Sequence, residues 1–384
     1  MSQMFAPENA KIDELVPEQL DKIPIEVWKS SDTTFCDLAL GSGQHVGGVE
    51  SRLRSFGHSD KNIQRRVFGF APSAGALRLA RNKYNLVGSY AVEPDPTSKE
   101  LNMNFDAFVG NPPYGSKTTR DKLWITFTEY AIEHCVPGGY IAFITPESWM
   151  VPGPAFRAIT GKRLVYVNTD IKKYFPGVGS TFSAWVLQNV EGDGKIPIDG
   201  RVIDTDSMGL IPKDRSLKGL SILNKFFSPI DKFKFRNSGF FNPFNTEHMH
   251  MFGKQSKRYC YPILISGADT RWSRVPHSLQ NQKKVVIFRS GYLKPTYDKS
   301  SGLAQDAYYK LVRSKREGDN LVSILNSKLY TYALTVSKYS GRWVVRVLNS
   351  LPYLDYTQSW TDEEIYDYFG LTKAERKHLE AYIA

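Results

Sequence analysis

The sequence lacks the features that mark secreted, metal-binding and membrane-spanning proteins. Its 384 residues include only Cys36, Cys135 and Cys260, which are too few and too widely spaced for a disulfide framework or a zinc site. No apolar run approaches the length of a membrane span, and residues 1–8 lack the basic and apolar regions of a secretion signal. These absences predict a cytoplasmic protein that binds neither a metal nor a membrane.

Surplus positive charge is absent from the first half of the chain and strong in the second. Residues 1–200 carry 21 Lys and Arg against 22 Asp and Glu, a net charge of −1. Residues 201–384 carry 29 against 17, a net charge of +12. A basic surplus alone is common in soluble proteins, but its segregation favours one domain for chemistry and another for a polyanion.

Strand-like and helix-like segments alternate through the first half. The clearest apolar strand candidates lie at residues 33–40, 67–70, 105–110 and 140–144. This alternation predicts a doubly wound α/β domain with a mostly parallel sheet, in which ligands bind beyond the carboxyl ends of the strands. The polar, glycine-rich stretch 191–195 is the predicted linker, which gives domains at 1–195 and 196–384. Residues 361–384 form a predicted helical tail with two capping-box spacings.

One loop at a predicted carboxyl end has the pattern acid-x-x-x-G-x-G, from Asp37 to Gly43. Glycines at such a place let the backbone approach a ligand closely and turn into a helix. A dinucleotide site would need a third glycine and an acid about 20 residues further on, and neither is cleanly present. An acid ahead of the glycines suits instead a cofactor with a cationic amino-acid moiety, such as S-adenosylmethionine.

The most informative motif is Asn111-Pro112-Pro113-Tyr114, at the end of the apolar run 105–110. The two prolines remove two backbone N–H donors and stiffen the loop, and they hold the asparagine out of helical conformation. The loop presents an amide oxygen, a backbone carbonyl and an aromatic face, which together suit an exocyclic amino group on a nucleobase. The alternative interpretation is a proline-stiffened turn with an incidental tyrosine.

These motifs, in this order, resemble the γ class of amino-methylating DNA methyltransferases, in particular the TaqI-type N6-adenine enzymes. The similarity covers nearly the whole chain and includes "VPGGYIAFITPESWM", "KKYFPGVGSTFSAWVL" and, in the second half, "PILISGADTRW" and "LVSILNSKLYTYALTVSKYSGRWVVRVLNSLPYLD". The resemblance implies that residues 1–195 have the class I S-adenosylmethionine-dependent methyltransferase fold. It implies that residues 196–384 form a mixed α+β target-recognition domain.

The resemblance also implies roles for individual residues. Asn111, Pro112 and Tyr114 would be catalytic, and Pro113 and Phe175 would contact the target base. The implied cofactor contacts are Pro7, Asp37, Gly41, Ser42, Gly43, Ser73 and Asp95. The DNA contacts expected in the basic second half are Arg271, Lys283, Lys284, Arg289, Lys338, Arg342 and Arg346.

The sequence departs from the family pattern at one position. The family places an acid at the end of the second strand, where it holds the ribose hydroxyls of the cofactor, and Ala71 stands at that place here. Ser73 is the residue expected to supply part of the missing interaction. Glu93 is the alternative to Asp95 as the group near the cofactor's adenine.

The reaction implied by the resemblance is methylation of N6 of an adenine flipped out of double-stranded DNA. A monomer is expected, without a metal, and the expected further partner is a separate cognate restriction endonuclease. Three other readings stay open: a methyl acceptor in RNA or on glutamine, N4 of cytosine in DNA, and a non-catalytic DNA-binding protein with a vestigial cofactor pocket. The last of these is motivated by Ala71.

Overall fold

The computed structural model describes residues 3–4, 12–98, 103–116, 122–204, 208–238, 251–252, 254–266, 269–289, 294–304, 307–339, 341 and 343–384. Pro7 and Arg342, two of the predicted contact residues, lie outside this part of the chain. The chain divides into two units, Met1–Asp206 and Ser207–Ala384. None of the helices among the described residues has both the length and the apolar character of a membrane span. These residues also contain no group of three or more His, Cys, Asp or Glu placed to hold a metal ion.

The first unit alternates strands and helices. Its strands are β1 (Gln3–Met4), β2 (Phe35–Asp37), β3 (Val67–Ala71), β4 (Ser89–Val92), β5 (Phe105–Gly110), β6 (Gly115–Ser116), β7 (Cys135–Pro146), β8 (Lys162–Asn168), β9 (Phe182–Glu191), β10 (Lys195–Ile198) and β11 (Arg201–Asp204). Its helices are α1 (Leu15–Leu20), α2 (Ile25–Lys29), α3 (Gln44–Ser55), α4 (Asp60–Arg66), α5 (Ala74–Tyr84), α6 (Leu123–His134) and α7 (Pro154–Thr160).

The described strands of this unit, apart from the β1–β6 pair, form a nine-stranded sheet in the order β4-β3-β2-β5-β7-β9-β8-β10-β11. Strands β2 to β5 and β7 run parallel, and β9 is antiparallel to both its neighbours, β7 and β8. The chain builds outward from β2 to β4 and then returns to β5 beside β2. The predicted doubly wound, mostly parallel sheet is therefore confirmed, and its switch point lies between β2 and β5.

The middle of the sheet is covered on both faces. Successive side chains of a strand point to opposite faces, and the last four residues of β5 are all buried. Ala107 and Val109 of β5 share a core cluster with Val46 and Val49 of α3. Burial on both faces explains why β5 has a continuous apolar sequence and why its carboxyl end is held rigidly.

The first unit continues past the predicted boundary at residue 195. Strands β10 and β11 form a hairpin, and Ile198 of β10 pairs with Val167 of β8 at the sheet edge. The turn of the hairpin is Asp199-Gly200, with both φ angles positive, at 49° and 75°. The stretch 191–195 therefore connects β9 to β10 within the sheet, and the unit ends at Asp206.

The second unit is of mixed α+β type, as predicted. Its strands are β12 (Arg236–Asn237), β13 (Met251–Phe252), β14 (Tyr261–Leu264), β15 (Thr270–Ser273), β16 (Lys284–Phe288), β17 (Thr296–Asp298), β18 (Gly302–Leu303) and β19 (Ala307–Leu311). Its helices are α8 (Leu217–Phe227), α9 (Lys315–Asn326), α10 (Lys328–Val336), α11 (Val345–Leu348), α12 (Asp362–Tyr368) and α13 (Lys373–Ile383). Among the described residues the strands form sheets in the orders β12-β19-β16-β17 and β13-β15-β14-β18.

The predicted helical tail of the second unit is confirmed, together with its capping boxes. Thr361 and Glu364 exchange side-chain and backbone hydrogen bonds at the start of α12. Thr372 and Glu375 do the same at the start of α13. Each box satisfies backbone N–H groups that a helix start otherwise leaves without partners, so the two helices begin where the sequence places them.

Candidate functional site

The two motif loops of the first unit meet at the switch point of its sheet. The loop 38–43 follows β2 and the loop 111–114 follows β5, and these two strands are parallel neighbours. A Cβ atom built on Gly110 would lie 2.8 Å from Asp37 Oδ1. Because that distance is too short for a carbon against an oxygen, only glycine fits at the end of β5 while Asp37 keeps its present position.

Asp37 places a nearly buried carboxyl group in this site. Its side chain is 2 % exposed, and the hydrogen bond that it accepts from the described residues comes from the backbone N–H of Ala39, at 2.9 Å. Burial raises the pKa of Asp37 to about 7, against the smaller opposing effect of the Ala39 hydrogen bond. A carboxylate that is buried without a cationic partner favours the binding of a cation.

The glycine loop has the geometry of a close backbone approach. Gly41 and Gly43 have φ angles of 52° and 85°, which favour glycine. A Cβ atom on Gly43 would also lie 2.8 Å from the Cβ of Ala80, so a larger residue does not fit there. Gly43 leads directly into α3, while the hydroxyl of the exposed Ser42 donates to Oε1 of Gln44. The Ser42 side chain therefore contributes to local loop structure.

The end of β3 carries no carboxylate. Ala71 is its last residue and is fully buried. The alanine thus lies at the strand end where the family pattern has an acid. Ser73, which follows, is the N-cap of α5, and its hydroxyl accepts the backbone N–H of Ala76 at 3.2 Å. In the described structure Ser73 thus performs a capping role, at an exposed position.

Asp95 and Glu93 follow β4, the edge strand beside β3. Asp95 is exposed and accepts a hydrogen bond from the Thr97 hydroxyl at 2.6 Å. The backbone N–H of Glu93 donates to the Ala71 carbonyl at 2.9 Å, which ties this loop to the end of β3. Because β2, β3 and β4 are parallel, these residues and Asp37 lie along the same edge of the sheet.

The N-P-P-Y loop is held together by a hydrogen bond between its first and last side chains. The Tyr114 hydroxyl donates to Asn111 Oδ1 at 2.6 Å. Burial raises the pKa of Tyr114, so the hydroxyl stays protonated and acts as the donor. Pro112 and Pro113 are buried, and Asn111 Nδ2 is buried without a hydrogen-bond partner among the described residues. A buried amide N–H that lacks an acceptor is unusual and marks a place where a ligand gains stability by binding.

Three aromatic rings contact one another in a row at this loop, and the first belongs to Tyr114 of the loop itself. Tyr114 stacks on Phe182, with ring centroids 4.9 Å apart and an interplanar angle of 27°, and Phe182 contacts Phe175 at 4.5 Å. Phe175 is only 1 % exposed. The predicted Phe175 therefore touches Phe182, and Phe182 is the ring that contacts Tyr114. Sequence reasoning missed Phe182. Phe182 begins β9, within the same "FPGVGSTFSAW" segment that identified Phe175.

A second missed feature connects α1 to the start of α3. Gln19 Nε2 donates to the carbonyls of Phe143 and Trp185, at 2.9 and 3.0 Å, and Gln19 Oε1 lies 3.3 Å from His45 Nε2. Burial lowers the pKa of His45 to about 3, so the ring is neutral. His45 follows the glycine loop by two residues. Gln19 therefore connects the first turn of α3 to strands β7 and β9. This role could not be predicted, because a single Gln and a single His form no recognisable sequence pattern.

Lys284 does not lie on the surface where a DNA contact was predicted. Its side chain is 0 % exposed, and Nζ donates to Asp298 Oδ1 at 2.7 Å and to the carbonyls of Leu279 and Gln282 at 3.3 and 3.0 Å. Burial lowers the pKa of Lys284, and the Asp298 carboxylate opposes that effect. The prediction for this residue is wrong, because a buried and fully hydrogen-bonded ammonium group cannot reach a phosphate.

The other described basic residues predicted to contact DNA lie at several places in the second unit. Arg271 on β15 faces Asp269 at 3.7 Å, and the exposed Lys283 donates from Nζ to the Arg313 carbonyl at 3.1 Å. Arg346 is exposed on α11. Arg271 lies on β15, Lys283 lies just before β16 and Arg346 lies on α11.

Arg289 and Lys338 do come together, around two aromatic rings. The Arg289 guanidinium lies 5.6 Å from the Tyr308 ring centroid, and Lys338 Nζ lies 4.6 Å from that of Trp343. The Trp343 backbone N–H donates to the Arg289 carbonyl at 2.6 Å, and the Tyr308 hydroxyl donates to the Trp343 carbonyl at 3.2 Å. This basic and aromatic group matches the alternation of residue types seen in the sequence.

Comparison with known proteins supports the methyltransferase interpretation of the first unit. Residues 55–174 match the protein family described as Eco57I restriction-modification methylase, a segment that contains the N-P-P-Y loop and ends just before Phe175. No curated protein matches the chain.

Several solved structures are similar in fold. One is a nuclease-deletion mutant of the Type ISP restriction-modification enzyme LlaGI, solved with a DNA substrate mimic. Its TM-score is 0.55 at 10% identity, and the aligned region covers 91% of this chain and 53% of the LlaGI chain. The Type IIL restriction-modification enzyme MmeI, solved with DNA, has a TM-score of 0.53 at 10% identity, covering 92% and 66%. The type IIG restriction endonuclease BpuSI has a TM-score of 0.45 at 11% identity, covering 96% and 61%.

The chain thus spans between about half and two thirds of the length of these proteins. At such low identity the likenesses to LlaGI and MmeI show the fold alone. The first unit has the fold of a class I S-adenosylmethionine-dependent methyltransferase, and within it residues 55–174 are similar to restriction-modification methylases.

Proposed function

We propose that this chain transfers a methyl group from S-adenosylmethionine to N6 of an adenine in double-stranded DNA. The observation that carries the proposal is the N-P-P-Y loop at the carboxyl end of β5, directly beside the Asp37 carboxyl group at the end of β2. The match of residues 55–174 to a restriction-modification methylase family supports DNA as the substrate. The proposal includes two finer assignments: the chain belongs to the TaqI-type class, and the methylated atom is N6 of adenine.

The residues at the switch point fit the amino-acid end of S-adenosylmethionine. Asp37 would hold its ammonium group, and the backbone at Gly41 and Gly43 leaves room for a close approach. The carboxylate that would hold the ribose is missing, because Ala71 stands at the end of β3. When bound, the cofactor supplies a sulfonium methyl group that is already activated for transfer.

The chemical task of the chain's own residues is to make an aromatic amine nucleophilic. The nitrogen lone pair of adenine N6 is delocalised into the ring, which makes it a poor nucleophile. Asn111 Oδ1 and the Pro112 carbonyl would accept the two N6 hydrogens. Acceptors placed outside the ring plane favour a tetrahedral nitrogen and stabilise its developing positive charge. The Tyr114 hydrogen bond fixes the Asn111 amide for this role, since an amide oxygen has two lone pairs and accepts a second donor.

The aromatic residues of the site would hold the base. A base inside a duplex cannot reach the edge of a protein sheet, so it must be flipped out of the helix. Phe182 supports one face of the Tyr114 ring, and the opposite face is the one proposed to stack on the flipped adenine. Phe175 lies behind Phe182 and would reach the base only after the segment that joins them moves.

A methyl-transfer assay tests the proposal directly. The chain is incubated with S-adenosylmethionine carrying a labelled methyl group and with unmethylated duplex DNA, or in parallel with structured RNA, and the products are digested to nucleosides. We expect label in N6-methyladenine from DNA. Label in N4-methylcytosine would replace the proposed base, and label in RNA would replace the proposed substrate. DNA binding without label in either would favour the non-catalytic reading that Ala71 motivates.

Cofactor affinity is expected to increase with pH. The folded pKa of Asp37, about 7, lies above its ordinary value, so the cofactor-free fold loses stability as the pH rises from about 4 to about 7 and no further above that, and a bound cation offsets this cost. Because only the ionised form attracts the ammonium group, the contribution of Asp37 to affinity should rise roughly tenfold between about pH 6 and about pH 8. Deprotonation of the ligand's own amino group, at about pH 8, reduces the net rise. Isothermal titration with S-adenosylmethionine over this range measures the effect.

The matched control for this prediction is Asp37→Asn. The ligand's own titration is common to both proteins, so the difference between their two profiles isolates Asp37. The variant should bind more weakly and lose the Asp37-dependent part of the slope. Identical profiles would show that the carboxyl group at residue 37 does not contact the cofactor's ammonium group.

A further inference from the structure

The N-P-P-Y loop contains a buried side-chain donor for which the described part of the chain supplies no acceptor. Asn111 is half-buried, and its Nδ2 atom is the donor in question. Its Oδ1 atom, in contrast, accepts the Tyr114 hydroxyl at 2.6 Å. A buried N–H group without an acceptor destabilises a fold, because it has lost its hydrogen bonds to water and gained none. Such a group needs an explanation, and a ligand that brings the acceptor provides one.

The amide group of Asn111 is held in one orientation. The Tyr114 hydroxyl that binds Oδ1 belongs to a ring that stacks on Phe182, with centroids 4.9 Å apart. On its other side, Asn111 directly follows Gly110, the last residue of the buried strand β5. Because an amide group is planar, a fixed backbone and a fixed Oδ1 together also fix the position of Nδ2. The donor is thus oriented before a ligand arrives, which lowers the entropic cost of binding.

The adjacent acceptor and donor of an amide group match a specific feature of adenine. The N6 amino group of adenine donates hydrogen bonds, and the ring nitrogens N1 and N7, which accept them, flank it on either side. An asparagine amide pairs with such an edge through two hydrogen bonds at once, as it does with N6 and N7 of adenines in the major groove. Asn111 Oδ1 is the proposed acceptor for one N6 hydrogen. Nδ2, bonded to the same carbon atom, would then lie beside a flanking ring nitrogen.

We propose that Asn111 Nδ2 donates a hydrogen bond to a ring nitrogen of the target adenine, N1 or N7, beside the N6 atom that Oδ1 contacts. The inference rests on the proposed function and adds to it a role for Asn111 in recognising the base. The second N6 hydrogen is left for the Pro112 carbonyl. Because Nδ2 is shielded from solvent, water competes little for this bond. A base without the ring acceptor leaves the donor unpaired and is therefore disfavoured.

Two adenine analogues test this inference. In 7-deazaadenine and in 1-deazaadenine one ring nitrogen is replaced by C–H, while the N6 amino group stays. Each analogue is placed at the methylated position of a duplex, and kcat/KM for methyl transfer is compared with that of the adenine duplex. For one of the two we expect kcat/KM to fall roughly tenfold to a hundredfold, the range for a pair of hydrogen bonds to a base edge. The identity of that analogue shows which ring nitrogen Asn111 contacts.

The variant Asn111→Asp separates the Nδ2 contact from the other effects of the analogues. It keeps an oxygen for the Tyr114 hydroxyl and has no Nδ2, so the same analogue should carry no penalty in this variant. Changes in base pairing or in the reactivity of N6 are common to both proteins and cancel in the comparison. The matched control is Asn82→Asp, the same substitution at an exposed position on α5, which should keep the full penalty.

Affinity provides a second readout that does not require turnover. Binding of the same duplexes in the presence of S-adenosylhomocysteine, which has no methyl group to transfer, should depend in the same way on the analogue and on residue 111. Equal values for adenine and both analogues in the unaltered chain would overturn the inference, as would a penalty of the same size in Asn111→Asp. A chain that transfers no methyl group to adenine would contradict the proposed function itself, and with it the target base on which this inference depends.

Discussion

Replacing Asn111 with alanine is expected to reduce methyl transfer by roughly a hundredfold to a thousandfold, the range seen when one preorganised group is removed from a charge-stabilising site. The substitution removes the oxygen proposed to accept a hydrogen from N6 and breaks the hydrogen bond with Tyr114. DNA affinity should change little, because phosphate contacts supply most of it. Single-turnover methyl transfer and duplex binding, measured on the same preparation, test both parts.

Asn111→Asp is the matched control for this substitution. It keeps an oxygen acceptor for the Tyr114 hydroxyl and replaces the buried Nδ2 donor, which has no partner in the described part of the chain, by a second acceptor. We expect it to retain more activity than the alanine variant. Equal losses of turnover and of DNA binding in Asn111→Ala would place the residue in the binding of DNA and remove it from the chemistry.

Replacing Glu50 with alanine is expected to destabilise the first unit by about 3–5 kcal/mol, because several donors lose their acceptor and each unsatisfied buried group costs about 1–3 kcal/mol. Glu50 on α3 is 0 % exposed. Its carboxylate accepts the backbone N–H groups of Val87 and Gly88 at 3.0 and 2.8 Å, the Tyr90 hydroxyl at 2.6 Å and Arg54 Nη2 at 3.1 Å. Without it, the Val87 and Gly88 N–H groups and the Tyr90 hydroxyl lose this acceptor, whereas Arg54 keeps its hydrogen bond to Asp60 Oδ1 at 2.9 Å.

Urea unfolding measures this loss, as a lower midpoint with an unchanged slope. The control is Glu129→Ala, a substitution at an exposed position on α6 whose effect should stay within about 0.5 kcal/mol. A midpoint for Glu50→Ala equal to that of the control would mean that water or the neighbouring backbone replaces the carboxylate. Glu50 accepts hydrogen bonds from the residues just before β4. Removing its carboxylate should therefore also loosen the loop after β4, which carries Glu93 and Asp95.

The features that sequence predicts well are those fixed by neighbouring residues. The β–α alternation, the two glycines at positive φ and the capping boxes at Thr361 and Thr372 all depend on local geometry. The hairpin of β10 and β11 also had a local pattern, the Asp199-Gly200 pair between alternating apolar residues. The polar, glycine-rich stretch 191–195 just before it predicts a linker at nearly the same place, and this prediction competes with the hairpin pattern.

The features that sequence does not predict depend on distant partners. Lys284 is buried because Asp298, fourteen residues away, lies opposite it in the sheet. Gln19 meets Phe143 and Trp185, more than a hundred residues further on. Phe182 outranks Phe175 as the contact of Tyr114 because of how the chain folds back at the start of β9. No local pattern marks any of these positions, since each is decided by packing between separate elements.

The contact between Asp37 and Gly110 constrains how this site can change during evolution. A residue with a Cβ at position 110 would need a shorter side chain at position 37, and a shorter side chain would give up the carboxylate. Position 110 can therefore accept a Cβ only if position 37 changes too, whereas position 37 can change alone. Ala71, at the end of β3, takes no part in this contact. An alanine in place of an acid there therefore leaves the junction of the two motif loops intact. Substitutions at the end of β3 are therefore expected to disturb this junction less than substitutions at position 110.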